Sequence, residues 1–475
     1  MAGGIKRLSS RLSGSYVKHY ISSMVMTFLF LLTVSWLSYS QSDYSFRQEN
    51  YRLEIAFILT ALISLGWLMS MIMGIIIDLF PITHDLDAYT ETHSNQYLAI
   101  NIIGQLVIMV GIFSNDLELM LDMATVGLVL LSWGTITLAM PSWNLHKNSM
   151  ENDINCGNVA LIPAMLIPFS SLVILSCWIF RQKTGLLIFG FSFSVVVLMG
   201  TVAITLILAH FNRRLSWELV KFREFRPIVS VYLILALLHC FAAFLFERGD
   251  VSENVSKISQ SLPFFWAFFS TRPFKMLKMA IGSNSKPHSR IIASSQYYFL
   301  VVGVMSLIPD FNPGKFTNIT YVTLIFSTVM LAVWGSGIYL HQDHLHKSIH
   351  SRDSMYWLIA YNAIGVTSLF LIGFEVTIIN EDSDLVYFFM RNFALSAMII
   401  YIIILLFKDL GQTPLFFDFC FLLKKRIKIK VSEQVENYLS NSRIRLLIRL
   451  PYPSDDLNFR SPLNFQAIEI FQNAS

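Results

Sequence analysis

Apolar runs about as long as one membrane crossing recur along the whole chain, at 21–39, 54–77, 98–113, 119–140, 158–180, 185–210, 227–246, 291–308, 319–340, 354–379 and 385–407. Helices of about 20 residues rise through a hydrocarbon layer of ~30 Å, so each run predicts a transmembrane helix. A further stretch, 259–281, opens with Leu262-Pro263-Phe264-Phe265-Trp266-Ala267-Phe268-Phe269 and then meets Arg272, Lys275 and Lys278. Hydropathy alone leaves that segment between a weak span and a re-entrant one. The first run, Ile21 to Tyr39, has the length of a full span rather than of a signal-peptide core, and it ends in Trp36-Leu37-Ser38-Tyr39.

Charge placement settles the count. If 259–281 crosses and the N-terminus is cytoplasmic, most of the 35 Lys and Arg fall on the inner side, including Lys424-Lys425-Arg426-Ile427-Lys428-Ile429-Lys430. Without that crossing the basic tail would face outward, against the positive-inside rule. The expectation is an all-α polytopic membrane protein with about 12 transmembrane helices and both termini cytoplasmic. Asn254 and Asn318, both in N-x-[ST] sequons, then lie outside. Composition agrees: 54% of residues are hydrophobic and only 14% charged, against ~25% charged in soluble domains. No large soluble catalytic domain fits beside so many spans. Cys156, Cys177, Cys240 and Cys420 sit in separate segments without CxxC spacing, which indicates free thiols rather than a disulfide framework.

An internal echo at an offset of about 200 residues divides the chain. Trp133-Gly134 recurs as Trp334-Gly335, and Leu145-His146-Lys147 as Leu345-His346-Lys347. The predicted organisation is a basic cytoplasmic N-terminus (1–20), a six-helix half (21–210), a basic interfacial linker (211–226), a second six-helix half (227–407) and a basic, amphipathic cytoplasmic tail (408–475). Six spans per half make the halves parallel repeats. In the linker Arg213, Arg214, Lys221, Arg223 and Arg226 alternate with Trp217, Phe222 and Phe225, a composition suited to anionic headgroups or simply to a positive-inside loop. The tail, with Phe416, Phe417, Phe419 and Phe421 beside its basic run, fits the interface or a cytoplasmic partner. This layout resembles that of the major facilitator transporters, and Gly74-Ile75-Ile76-Ile77-Asp78 stands where that family carries G-x-x-x-D after its second span. The basic residues that follow the motif in the family are missing here, since 78–97 holds no Lys or Arg.

Ionisable groups inside apolar spans are costly and mark candidate chemistry. Glu375 and Arg391 lie on consecutive predicted helices at similar depth, as a structural clamp or as a substrate or coupling site. His239 on the seventh span, Asp122 on the fourth, Asn101 with Gln105 on the third, and Asn362 complete the candidates; each is interhelical glue or pathway lining. On the cytoplasmic side His341, His344, His346 and His350 follow the tenth span, while the 78–97 loop offers His84 and His93. The spacing His346-x-x-x-His350 is similar to one histidine box of the membrane desaturases, so a metal ion is the secondary reading there, beside a hydrated loop at headgroup level. No other cofactor is called for. No G-x-S-x-G elbow, P-loop, HExxH helix or nucleic-acid module is present. The leading expectation is a secondary carrier for a small solute or lipid-like molecule; the alternatives are a metal-dependent, lipid-modifying membrane enzyme and a non-catalytic scaffold or sensor.

Overall fold

A computed structural model describes residues 52–84, 91–114, 116–152, 161–209, 222–281 and 287–307, with short pieces between 18 and 36 and between 328 and 333. Of it, 93% is helical, and no strand occurs among the described residues. Six helical segments are long and apolar enough to cross a membrane: Leu53–Ile76, Thr92–Phe113, Leu117–Asn144, Ile162–Ile179, Thr184–Leu208 and Glu224–Glu247. They coincide with the second to seventh runs expected from the sequence. The Lys424 run, the tail and most of the last three spans fall outside the described residues.

The elements follow in order as α1 (Arg52–Ala61), a π-helical turn Leu62–Trp67, α2 (Leu68–His84), α3 (Glu91–Phe113) and α4 (Leu117–Asn152). A second π turn, Ile162–Leu166, leads into α5 (Ile167–Ile179), and a third, Phe193–Met199, joins α6 (Thr184–Ser192) to α7 (Gly200–Ala209). Then come α8 (Phe222–Glu247), α9 (Glu253–Ser270), α10 (Pro273–Ile281) and α11 (Pro287–Met305). Two segments read from sequence as loops are thus partly helical, since α4 runs through Pro141 to Asn152 and α2 extends to His84.

Burial sorts the six spans into two classes. Leu53–Ile76 and Thr184–Leu208 have 89% and 94% of their apolar windows buried, whereas the other four lie between 39% and 56%. Two helices therefore form the centre and the rest surround them. The outer helices are inverted relative to those of a soluble protein. On α3 the exposed stripe is Ile103, Leu106, Val110 and Phe113, while the buried stripe carries Ser94, Tyr97, Asn101 and Gln105. Helix α8 exposes Ile234, Leu238 and Phe241 at i, i+4 and i+7. Apolar faces of that extent would be an aggregation surface in water, and in lipid they need no cover.

Local chemistry closes the hairpins. Asp116 caps α4, its carboxylate accepting from the Glu118 amide at 3.0 Å. The α3 and α4 backbones approach closely where Gly127 meets Gly104: a β-carbon built on Gly127 would lie 2.7 Å from the Gly104 carbonyl. Helix α8 stops just before Gly249, whose φ of +76° favours a residue without a side chain. Its amide donates to Phe246 O and the Asp250 amide to Leu245 O, both at 2.9 Å, the paired bonds of a Schellman stop.

The doubtful 259–281 segment resolves into two helices. Helix α9 runs back along α8, with Trp266 Nε1 donating to Ile228 O at 2.9 Å and Arg272 ion-paired to Glu224 at 3.1 Å. Its 18 residues cover about 27 Å, so the chain returns to the level at which α8 begins. There the helix breaks: Arg272 takes φ +53°, a conformation costing a non-glycine residue about 1–2 kcal/mol, and Pro273 starts α10.

Candidate functional site

The two central helices touch at their midpoints, and both depart from α-helical bonding there. Ser64 is twelfth of the 24 residues in Leu53–Ile76, and Ser194 eleventh of the 25 in Thr184–Leu208. The Ser194 hydroxyl donates to Ser64 Oγ at 2.6 Å. Each serine lies within a π turn, where bonds of the i→i+5 kind replace the usual ones and leave carbonyls for other donors. Within the first turn Gly66, at φ −89° and ψ −112°, leaves helical geometry altogether.

Neighbouring helices supply the missing donors. Asn101, tenth of the 22 residues of Thr92–Phe113, donates from Nδ2 to Leu65 O at 2.9 Å. Gln105 Nε2 in turn donates to Asn101 Oδ1 at 2.6 Å. The Gln105 side chain lies against Gly66, where an added β-carbon would come within 2.9 Å of its amide. Ser23 donates to Trp67 O at 2.6 Å. At the third π turn, Phe193–Met199, the Tyr232 hydroxyl donates to Val196 O at 2.8 Å, in the space that Gly200 leaves by lacking a side chain. Broken backbone is tolerated at this depth only where such partners exist.

The network extends to one end of the bundle through His19. This imidazole is fully buried and stacks on Tyr97 with centroids 5.7 Å apart. Burial pushes its pKa down to about 4, so it is neutral at pH 7. Nδ1 lies 3.2 Å from Ser70 O, and a carbonyl only accepts, so Nδ1 carries the proton. Nε2 then accepts from Ser94 Oγ at 2.8 Å. Three polar atoms along this path, Gln105 Oε1, Trp67 Nε1 and Ser70 Oγ, are buried with no partner among the described residues. They are an acceptor, a donor and a hydroxyl that is either. Between Ile55 and Ile76, and between Thr184 and Leu208, the chain has no Asp, Glu, Lys or Arg.

The other candidates are scattered. Asp122 occupies an exposed position on α4, and His239 is buried on α8, sixteenth in Glu224–Glu247. His93 is half-buried near the start of α3, and His84 ends α2. No group of three His, Cys, Asp or Glu placed to hold a metal ion occurs among the described residues. Asn362, Glu375, Arg391, His341, His344, His346 and His350 lie outside them. Gln296 on α11 is fully buried with neither amide atom hydrogen-bonded among the described residues, and Gln260 Oε1 on α9 is in the same state.

Asn101 and Gln105 are conspicuous in the sequence as amides in an apolar run, whereas Ser64, Gly66, Ser194 and His19 are not. The available signal was the run Ser64-Leu65-Gly66-Trp67 inside an otherwise apolar span. No protein family, curated protein or solved structure matches the chain.

Proposed function

We propose that this integral membrane protein is a secondary carrier, and that its solute binds where the two central helices are broken. One observation carries the reading: two adjacent buried helices both lose α-helical bonding at mid-depth, at Ser64 and Ser194, beside an amide pair from a third helix. Discontinuous helices meeting near the bilayer centre are how carriers expose backbone groups to a solute while keeping them from lipid. A purely structural bundle would gain nothing from two π turns and a glycine break facing one another. The groups at this level are hydroxyl, amide, indole and carbonyl, so the solute is small, polar and uncharged, with both donor and acceptor groups.

The orientation follows from charge along the α8–α9 hairpin. One end carries Arg226, Arg272, Lys275 and Lys278 against Glu224; the other carries Glu247, Asp250 and Glu253 against Arg248 and Lys257. The basic end is assigned to the cytoplasm. With α9 counted as a crossing, the layout of about 12 spans in two halves stands as the proposed architecture.

The solute class is tested by thermal unfolding of detergent-purified protein against a panel of uncharged polyols, amides and sugars beside charged amino acids and nucleotides. A ligand bound only by the folded state raises the midpoint by mass action. An uncharged member should stabilise the wild type by about a few degrees, and the effect should vanish in Gln105→Leu while persisting in Arg248→Gln. Stabilisation only by charged compounds, no stabilisation by any uncharged one, or a shift that survives Gln105→Leu contradicts the assignment.

A further inference from the structure

We propose that α10 is a binding site for anionic phospholipid at the cytoplasmic surface, with Phe274 at the acyl boundary and Lys275 and Lys278 on headgroup phosphates. The inference rests on the membrane-spanning reading of α8 and α9, and it is independent of any transported solute.

Three observations converge on this helix. First, α9 exposes an apolar row, Val255, Ile258, Leu262 and Phe269, along its whole length, so its outer face meets lipid down to the last turn. Second, the reversal at Arg272, with φ +53°, starts a new helix at that level, and the Arg272–Glu224 pair at 3.1 Å fixes it beside the first turn of α8. Both partners are about half-exposed, at 46% and 42%, as expected of groups among headgroups rather than in hydrocarbon. Third, α10 is two-faced: Met276 is fully buried, whereas Phe274 is 70% exposed and Lys275 and Lys278 are exposed beside it. Positions 274, 275 and 278 are i, i+1 and i+4 on a helix, so the aromatic ring and both ammonium groups share one side.

An aromatic side chain flanked by lysines on an amphipathic helix matches the boundary between acyl chains and phosphates. A soluble anion would meet the positive charge of this face and leave Phe274 and Phe269 in water; a zwitterionic lipid would cover the rings without net charge to meet it. Only an anionic lipid answers both. Lys275 and Lys278, with exposed Arg226 across the hairpin, form the electrostatic half of the site.

The test counts lipids on the full-length protein by native mass spectrometry after exchange into micelles holding equal phosphatidylglycerol and phosphatidylcholine. Wild type should retain phosphatidylglycerol preferentially. Lys275→Gln with Lys278→Gln should lower that preference by about fivefold for each lysine, and Phe274→Ser should weaken retention of both lipids. Arg248→Gln, at the opposite end of the hairpin, should change nothing. All substituted side chains are exposed, and unchanged unfolding midpoints will show that the variants fold. Equal retention of the two lipids by wild type, or an undiminished preference in the double variant, overturns the proposal. Displacement of phosphatidylglycerol by millimolar inorganic phosphate also overturns it, by assigning the lysines to a soluble anion.

Discussion

Gly127→Val should abolish recovery of folded, monodisperse protein, whereas Gly134→Ala on the same helix should be recovered like the wild type. A β-carbon at position 127 meets the Gly104 carbonyl oxygen at 2.7 Å and also overlaps Ile108. The first obstacle is backbone, so no rotamer change relieves it. Helices α3 and α4 would have to separate, and overpacking of that kind costs about 3 kcal/mol or more. In lipid the loss has no hydrophobic compensation, because side chains pulled from the interface exchange protein contacts for equally apolar acyl chains. At Gly134 the nearest atom to an added β-carbon is Ile100 Cγ2 at 3.4 Å, an ordinary contact. Size-exclusion profiles and unfolding midpoints of the two variants check the contrast; equal yields would mean that α3 and α4 are not in this close register.

Asn101→Leu is expected to produce the second large effect, now through hydrogen bonding. The substitution leaves Leu65 O and Gln105 Nε2 without their partners, in positions that are fully buried. Each orphaned group costs about 1–3 kcal/mol, so destabilisation of about 2–5 kcal/mol should appear as a much lower unfolding midpoint. Ser64→Ala removes only the acceptor of one serine pair and should cost about 1 kcal/mol. If Asn101→Leu is as stable as Ser64→Ala, the break at Gly66 does not depend on the α3 amides. The double variant Asn101→Leu, Gln105→Leu should be less damaged than the sum of its single changes, because the singles together orphan Leu65 O, Gln105 Nε2 and Asn101 Oδ1 whereas the double orphans only Leu65 O.

Much of this was legible because lipid imposes so few rules. Backbone groups in hydrocarbon must be satisfied within the segment, so run length alone placed the second to seventh helices. The ends were harder. Nothing in the apolar pattern distinguishes Leu98 from Thr92 as a helix start, because polar residues such as Ser94 and Asn95 sit comfortably at headgroup level. Asn101 and Gln105 stood out as amides in an apolar run, but their partners did not. Those partners are backbone carbonyls freed by π turns, and a carbonyl has no letter in the sequence. Asp122, equally conspicuous as a charge, lies six residues into its span on an exposed position, away from the buried network; hydropathy gives depth but not facing. His19 falls in the basic N-terminal stretch 1–20 in the sequence, and only the fold shows it threaded between Ser70 and Ser94.

A carrier must at some moment admit water to the level of Ser64 and Ser194, both buried in this conformation, and that can be measured directly. With Cys156, Cys177, Cys240 and Cys420 replaced by serine, single variants Ser64→Cys and Ser194→Cys would be reconstituted in liposomes and treated with a membrane-impermeant methanethiosulfonate. Asp250→Cys, at the exposed end of the α8–α9 hairpin, serves as the aqueous control. Both buried thiols should react, more slowly than position 250 because the open state is the minor one, and an uncharged solute that stabilises the protein should slow them further. Inert thiols at 64 and 194 beside a reactive one at 250, with or without solute, would show a permanently dry centre and contradict the carrier.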